Sequence, residues 1–199
     1  MIMKKSMKKI AIIALFSAIG AILMYIDFPI PIAPSFMKMD LSELPVIIGG
    51  FLLGPVASVV IAILKVMIKF VIKGTSTMFV GELANIIGSV SYALPATLIY
   101  TKLKTKKRAI IGLIVGTITA SVIITCCNAT FIFPLYIKVF HMSEESIIKM
   151  CSKILPFIDN MSKVYILSVF PFNIIKFTTT SVITLLFYKN ISRTIKNIL

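Results

Sequence analysis

Five polar side chains interrupt apolar stretches of this sequence and are the best candidates for contacting a ligand. They are Glu82, Asn85, Asn128, Asn173 and Lys176. Polar groups within hydrocarbon are costly, so they usually face a bundle interior or a water-filled cavity. Amides, a carboxylate and an ammonium group are well suited to hydrogen bonding with a small solute. We therefore expect these residues to line a binding pocket for a polar-aromatic molecule.

The spacing of these residues also predicts a shared pocket. Glu82 and Asn85 are three residues apart, as are Asn173 and Lys176, so each pair lies on one face of a helix. At a rise of about 1.5 Å per residue, all five lie roughly 8 to 20 Å below the outer membrane surface. Hydrogen bonding between helices explains Glu82 and Asn85 equally well. For Asn173 and Lys176, which follow Pro171, the ligand role is favoured.

The composition predicts the class of fold that must position these residues. Of the 199 residues, 58% are hydrophobic, and the mean hydropathy is +1.03. A soluble domain of this size has no interior large enough for so much apolar surface. Several apolar stretches approach the length of about 20 residues that a spanning helix needs. The fold class is therefore an all-α integral membrane protein that crosses the cell membrane several times.

Six membrane-spanning helices are predicted within a single domain, residues 1–199. Their approximate bounds are 7–26, 41–54, 55–73, 78–100, 109–139 and 163–188, with an external amphipathic helix and loop over 142–159. The fifth helix is long enough to include a tilted or kinked part near Pro134. The second helix is short, and together with the third it could instead form one re-entrant element.

The basic residues favour six spans. Three segments hold twelve of them and no acidic residue: Lys4, Lys5, Lys8 and Lys9; Lys102, Lys104, Lys106, Lys107 and Arg108; and Lys189, Arg193 and Lys196. Basic residues concentrate on the cytoplasmic side of membrane proteins. Six spans place all three segments and both termini on that side. The net charge of +14 thus indicates orientation and contact with anionic lipids of the bilayer, and we expect no nucleic-acid partner.

The first loop, residues 27–40, is predicted to be a lid. Its start, DFPIPIAP, alternates prolines that force an extended backbone. In the six-span topology the loop lies outside the cell. Its Phe and Ile residues are unusual for a solvated connection. We therefore expect this external first loop to fold back over the bundle.

Lys65, Lys69 and Lys73 recur every four residues on the third predicted helix. Like charges at this spacing repel each other, so a compensating interaction is required. We expect Lys69 and Lys73 to snorkel to the outer surface. The deeper Lys65 is expected to pair with a carboxylate at the mouth of the cavity, and Asp40, Glu43 and Glu82 are the candidates by depth.

Small residues form a face on the first predicted helix, where Ala11, Ala14 and Ala18 are continued by Gly20 and Ala21. Such residues let helices approach closely in lipid. Packing within the bundle and docking against another membrane protein explain this face equally well.

Enzymatic function is disfavoured by the reactive residues. Cys126, Cys127, Cys151 and the single His141 show no metal-ligand spacing, so no metal site is expected. An enzyme acting on a lipid phosphate, the alternative from another class, would need paired acids or a Ser/His or Cys/His set, and the seven acidic residues are scattered. No phosphate-cradling loop is present either. We expect a protein that is not an enzyme, has no resident cofactor and draws energy from partners.

Three stretches resemble the substrate-binding (S) components of energy-coupling factor (ECF) vitamin importers, most of all the riboflavin-specific members. They are PIPIAPSFMKMDLSELP at 29–45, KGTSTMFVGELAN at 73–85 and FPFNIIK at 170–176. The resemblance covers essentially the whole chain. It implies a subunit that binds riboflavin from outside with high affinity. It also implies partners, namely a transmembrane coupling subunit and two ATPase subunits that drive import.

The resemblance also implies roles for individual residues. Asn128, Asn173 and Lys176 would hydrogen-bond the ribityl hydroxyls and the polar edge of the isoalloxazine ring. Residues that would close the pocket are Met39, Asp40 and Leu41 in the first loop, and Thr75, Thr77 and Met78 in the turn before the fourth helix. Ala14 and Ala18 match the small-residue motif that S components present to the coupling subunit. Lys176 would tolerate a phosphate, so flavin mononucleotide (FMN) is a second candidate ligand.

An S component for a different vitamin remains the main alternative. Thiamine is cationic, and an embedded Lys176 would repel it. The chain has no tryptophan, the residue that often stacks on such a ring. A structural subunit without a ligand would leave the shared depth of the polar residues unexplained.

Overall fold

The described residues of this chain form helices joined by loops, and one of these loops contains a short hairpin. In the computed structural model, the backbone is described for residues 2–153 and 155–196, and the side chains for residues 6–153 and 155–187. The helices of this part are α1 (Ile2–Tyr25), α2 (Glu43–Leu53), α3 (Pro55–Lys73), α4 (Val80–Thr101), α5 (Lys106–Cys127), α6 (Phe133–Phe140), α7 (Glu144–Ser152), α8 (Met161–Val164) and α9 (Phe170–Lys196). Two π-helical turns, Asn128–Ile132 and Tyr165–Val169, join α5 to α6 and α8 to α9.

Apolar helices of membrane-spanning length confirm the predicted class. Within the described residues, five stretches are long and apolar enough to cross a membrane: Ser6–Tyr25, Pro55–Lys73, Val80–Thr101, Lys106–Phe140 and Met161–Phe187. The predicted second helix exists as α2, but it has only 11 residues, about 16 Å at the usual helical rise. The protein is therefore a multi-pass membrane protein, and its described part contains these five long stretches and the short apolar helix α2.

The short helix α2 lies at the centre of the bundle. It contacts α1, α3, α4 and α9, and its residues 45–51 are all buried. Two glycines permit this packing. A Cβ atom at Gly49 would lie 2.3 Å from Ile61 Cδ1, and one at Gly50 would lie 2.3 Å from Thr97 Cγ2. Because neither glycine has a side chain, α2 can pack directly against α3 and α4.

The helices α4 and α5 are held together by close backbone packing. A Cβ atom at Gly112 would lie 2.5 Å from the carbonyl oxygen of Ala96, and one at Gly116 would lie 2.5 Å from that of Tyr92. Glycines four residues apart are a recurring device for close helix contact in lipid. This contact fixes where α4 and α5 place their polar residues.

Two prolines account for the interruptions of the long helices. Pro134 and Pro171 each follow a π-helical turn, and a proline cannot donate a hydrogen bond to the carbonyl group one turn earlier. The predicted kink near Pro134 is thus a π-helical turn. Such turns are frequent at functional sites. Asn128 begins the first of them, and Asn173 lies just beyond the second.

The first loop folds back over the bundle, as predicted. Its strands β1 (Phe28–Pro29) and β2 (Lys38–Met39) pair antiparallel, with Phe28 opposite Met39. Between the strands, the hydroxyl of Ser168 donates a hydrogen bond to the carbonyl oxygen of Ile32. The ring of Phe36 stacks on Tyr136, with 4.5 Å between centroids. The loop is thus attached to the end of the bundle that carries α6.

The basic segments are exposed where their side chains are described. Lys8, Lys9, Lys102, Lys104, Lys106 and Lys107 are exposed, and Arg108 is half-buried. The side chains of Lys4, Lys5, Lys189, Arg193 and Lys196 lie outside the described part. Large apolar side chains are also exposed along the outer faces of the long helices, for example Leu15, Val71 and Leu186. This distribution suits helices surrounded by lipid.

Candidate functional site

Four of the five candidate polar residues line one inner cavity of about 90 Å³. Asn85 comes from α4, Asn128 from the π-helical turn after α5, and Asn173 and Lys176 from α9. Asn128 and Asn173 are each 4% exposed, and Lys176 is 7% exposed. The sequence spacing therefore predicted correctly that these residues converge. Ser89, which was not predicted, and Glu43, which was predicted only as a candidate carboxylate at the mouth of the cavity, also line it.

The three asparagines are held in the same way. The Nδ2 atom of each donates to the carbonyl oxygen one helical turn earlier: Asn85 to Gly81 at 2.9 Å, Asn128 to Ile124 at 2.7 Å and Asn173 to Val169 at 2.8 Å. Each bond ties the orientation of the amide to its helix. The amide oxygen and the second N–H hydrogen have no partner among the described residues. Each asparagine can thus both accept from and donate to a ligand.

Lys176 and Asp40 form an ion pair between the last helix and the first loop. The Nζ atom lies 3.2 Å from Asp40 Oδ2, and Asp40 Oδ1 accepts a hydrogen bond from the backbone N–H of Ser42 at 2.8 Å. Burial opposes ionisation of Asp40, but the charges of Lys176 and Lys65 and the hydrogen bonds from Ser42 hold its pKa below the ordinary value. The ammonium group of Lys176 is therefore already neutralised inside the protein.

A second buried pair joins α2 to α3. Lys65 Nζ donates to Glu43 Oε1 at 2.7 Å and to Ser42 Oγ at 2.7 Å. The hydroxyl of Ser89 donates to the same Glu43 oxygen at 2.6 Å. This geometry confirms the prediction that Lys65 pairs with a carboxylate and selects Glu43 from the three candidates.

The other two lysines of α3 differ from each other. Lys69 is half-buried and lies 3.5 Å from Asp27 Oδ2, so it pairs with the first loop instead of only snorkelling. Lys73 is exposed, as predicted, and its ammonium group lies 4.4 Å from the centroid of the Tyr25 ring. Burial raises the pKa of Asp27, but its hydrogen bond with Lys38 and the charge of Lys69 outweigh this and lower it.

An outer cavity of about 620 Å³ adjoins the inner one. Its walls include Asp40, Thr75, Thr77 and Glu82, and both cavities are lined by Phe36, Lys38, Gly81, Asn85 and Tyr136. Glu82 accepts hydrogen bonds from the hydroxyls of Thr75, at 3.0 Å, and Thr77, at 2.8 Å. These bonds hold the turn before α4. Glu82 thus lies in the outer cavity, apart from the four residues grouped deeper.

Three of the residues implied by the resemblance line neither cavity. Met39 is buried, Leu41 is half-buried, and Met78 is 63% exposed with a backbone φ of 45°. The sequence reasoning missed Phe36 and Tyr136 as cavity residues. It named Glu43 as one of three candidate partners of Lys65 at the mouth of the cavity, because the lysine spacing indicates a carboxylate without indicating which one.

Ala14 and Ala18 lie on the outer surface of α1. Both are exposed, whereas Phe16, Ser17 and Gly20 are buried. A Cβ atom at Gly20 would lie 3.1 Å from Lys65 Cβ, so the inward face of α1 is the one that carries Gly20. Packing within the bundle therefore does not explain Ala14 and Ala18. Among the described residues, no group of three or more His, Cys, Asp or Glu side chains could hold a metal ion.

The model of one protein family matches nearly the whole chain. It is described as the substrate-specific component of ECF transporters, and it matches residues 8–188. One solved structure, titled as the S component of a bacterial ECF transporter, has a TM-score of 0.74 and 28% sequence identity. That likeness covers 96% of this chain and 99% of the other.

Similar proteins are named as riboflavin transporters. RibU of Staphylococcus aureus (strain TCH60) is 29% identical over 191 residues, which cover 96% of this chain and 94% of that protein. FmnP of Bacillus subtilis (strain 168) is 29% identical over 185 residues, which cover 92% and 91%. From the family match, the common fold and the grouped polar residues, it follows that this chain belongs to the substrate-specific components of ECF transporters.

Proposed function

We propose that this protein is the riboflavin-binding subunit of an ECF-type vitamin importer. The observation that carries the proposal is the inner cavity, where three asparagines and Lys176 from α4, the π-helical turn after α5, and α9 converge beneath an aromatic loop. Two relatives that align over most of the chain bear the name riboflavin transporter. The protein captures its ligand from outside and does not transform it.

The chemistry of the cavity suits riboflavin. The isoalloxazine ring is flat and largely apolar with hydrogen-bonding groups at one edge, and the ribityl chain adds hydroxyls. Ligand sites of this kind combine apolar walls with a few well-placed polar groups. Here Ile124, Ile132, Phe172 and Phe177 supply apolar walls. The asparagine amides supply the donors and acceptors for the ring edge and the ribityl hydroxyls.

The first loop must move to admit such a ligand. Ligand cavities usually measure about 300–1,000 Å³, and the inner cavity alone is about 90 Å³. Phe36 and Tyr136 stand between the inner and outer cavities. Withdrawal of Phe36 would join the two spaces. We infer that the loop around Met39, Asp40 and Leu41 opens outward, admits riboflavin and closes over it, with Thr75, Thr77, Met78 and Glu82 at the mouth.

The topology and partners form the next part of the proposal. The whole chain, 1–199, acts as one membrane domain with six spans, α2 being the short one, and with both termini in the cytoplasm. Ala14 and Ala18 then lie on a lipid-facing surface that docks on a transmembrane coupling subunit. Two ATPase subunits supply the energy.

FMN is a weaker candidate than riboflavin. The ammonium of Lys176 is paired with Asp40. It could neutralise a phosphate only if that ion pair were broken. A phosphate would be better placed in the outer cavity, where Lys38 and Lys69 share the single carboxylate of Asp27 and Lys73 is exposed. Competition between FMN and riboflavin in a binding assay tests this ranking.

Uptake by cells that cannot synthesise riboflavin tests the proposed function. Cells that express this chain with the coupling and ATPase subunits of an ECF transporter should grow on low external riboflavin. Cells that express the coupling subunits alone, or the chain with Asn128→Ala and Asn173→Ala, should not. Equal growth with and without the chain would contradict the proposal. Chain-dependent growth of cells that cannot synthesise a different vitamin, on low external levels of that vitamin, would instead support the alternative S component.

A further inference from the structure

We propose that Glu43 accepts a hydrogen bond from the imide N–H of the bound flavin ring through its Oε2 atom. The inference rests on the proposed function and deepens it. Glu43 lines the inner cavity and is only 1% exposed. Its Oε2 atom is a buried oxygen with no hydrogen-bond partner among the described residues.

The other oxygen of Glu43 fixes the carboxylate in place. Oε1 accepts from Lys65 Nζ at 2.7 Å and from Ser89 Oγ at 2.6 Å. If the carboxylate rotated so that Oε2 accepted from Lys65 and Ser89, Oε1 would lose those partners instead. One oxygen therefore always faces away from Lys65 and Ser89. A buried acceptor without a partner destabilises the folded protein, and a donor on the ligand removes that penalty.

The neighbouring groups indicate which ligand donor it is. Lys176 lines the same inner cavity as Glu43. A lysine donor beside a carboxylate acceptor complements an edge that alternates carbonyl, N–H and carbonyl. The imide edge of the isoalloxazine ring has this pattern. A ribityl hydroxyl both donates and accepts, so an asparagine amide satisfies it without a carboxylate.

The charges around the cavity are consistent with an uncharged donor group on the ligand. Lys65 compensates Glu43 at 2.7 Å, and Asp40 compensates Lys176 at 3.2 Å. A cationic ligand is therefore not needed to balance Glu43. The proposal makes Glu43 a specificity-determining residue that selects flavin rings with a free imide N–H.

Three ligands and one substitution test the proposal. Riboflavin and lumiflavin both carry the imide N–H, but lumiflavin lacks the ribityl chain, and N3-methylriboflavin lacks the N–H. In Glu43→Gln, the amide oxygen stays with the donors Lys65 and Ser89, so the NH₂ group faces the ligand donor. We expect the Kd of riboflavin and of lumiflavin to rise by the same factor, at least about tenfold. The Kd of N3-methylriboflavin, already weak in the wild type, should change less than about threefold.

The control is Glu145→Gln, which removes an exposed carboxylate on α7 and should leave all three Kd values unchanged. An equal loss for all three ligands in Glu43→Gln would overturn the proposal, because Glu43 would then only support the fold. A loss for riboflavin but not for lumiflavin would also overturn it, because the donor would then be a ribityl hydroxyl.

A measurement on the wild-type protein covers the case in which Glu43→Gln does not fold. With riboflavin labelled with ¹⁵N at the imide position, the bound N–H proton should shift downfield and exchange slowly with water. A bound proton that exchanges as fast as in free riboflavin would contradict the proposal. Absence of any riboflavin binding would instead contradict the proposed function, so the two failures are distinguishable.

Discussion

Each of the two buried lysines at the cavity has its own carboxylate partner. Lys65 pairs with Glu43 and Lys176 with Asp40, and all four side chains are at most 8% exposed. The desolvation penalty of a buried ion pair exceeds its Coulomb attraction unless the geometry is good and additional hydrogen bonds satisfy the charged groups. Ser42 and Ser89 supply those extra bonds. The result is a polar cavity without net charge, which suits a neutral vitamin better than an ion.

Asn173→Ala should weaken riboflavin binding without unfolding the protein. The amide lies in the inner cavity with its oxygen available, and a lost hydrogen bond to a ligand costs roughly 1–1.5 kcal/mol. The Kd of riboflavin, measured by fluorescence titration, should therefore rise about tenfold. The matched control, Asn160→Ala, removes an exposed amide outside both cavities and should change the Kd less than about twofold. Equal effects of the two substitutions would argue against the assigned site.

For individual residues, the sequence predicted which polar side chains lie together, but it did not predict which charged side chains form ion pairs. Helical rise and three-residue spacing were sufficient to bring Asn85, Asn128, Asn173 and Lys176 together, because rigid helices preserve depth. Spacing does not determine rotation about each helix or the path of a loop. For that reason the Asp40–Lys176 pair and the unpartnered oxygen of Glu43 were not foreseen.

Two contacts between elements determine the shape of the bundle and the closure of its loop. The close approach of α4 and α5 depends on Gly112 and Gly116. The first loop is held to α9 by Asp40 and Lys176. The sequence predicted the fold-back of this loop from its Phe, Ile and Pro content. The length of α2 was overestimated because Leu41 and Ser42, which were placed in the helix, lie in the turn before its first residue, Glu43.

Gly116→Ala should destabilise the bundle. Its Cβ atom would lie 2.5 Å from the carbonyl oxygen of Tyr92, and a backbone group cannot move aside as a flexible side chain can. Overpacking of this kind costs about 1–3 kcal/mol, so thermal unfolding in detergent should begin at a lower temperature. Gly88→Ala is the control, since its Cβ would lie 3.6 Å from Phe177 Cζ, an ordinary contact. An unchanged unfolding temperature in Gly116→Ala would refute this account of the α4–α5 contact.

The Asp40–Lys176 pair should make stability depend on pH at the acid end. The pKa of Asp40 is lowered from its ordinary value of 3.8, so the folded state binds this proton less readily than the unfolded state. The wild type should unfold at a higher temperature than Asp40→Asn, and this advantage should be fully present above pH 3.8. It should shrink as the pH falls below that value and through the lowered pKa. An advantage that grows on acidification would contradict the ion pair.

For the whole molecule, Ala14 and Ala18 lie apart from the inner cavity. These residues lie on the surface of α1, whereas the cavity is lined by the first loop, α2, α4, α9 and the region from the end of α5 to α6. The sequence left packing and docking open, since a small-residue face does not show which side of a helix is inward. The position of Gly20 against Lys65 shows the inward side.

Ala14→Leu with Ala18→Leu should abolish uptake and leave binding intact. The larger side chains would prevent close approach of a partner helix without touching the cavity. We expect the riboflavin Kd to stay within about twofold and riboflavin uptake by cells with the coupling subunits to fall to background. Val122→Leu, an exposed position on α5, is the control and should leave uptake unchanged. Normal uptake by the double variant would exclude this surface as the docking site.

Titration of the detergent-purified protein with riboflavin, followed by flavin fluorescence, tests the central claim most directly. The three asparagines and the apolar walls of the cavity lead us to expect quenching that saturates at one riboflavin per chain, with a Kd below about 1 µM. Excess thiamine should not reverse this quenching, because Glu43 and Asp40 are already paired with Lys65 and Lys176 and leave no uncompensated negative charge for a cation. If riboflavin fluorescence is unchanged by excess protein, the chain does not bind riboflavin and its substrate is a different one.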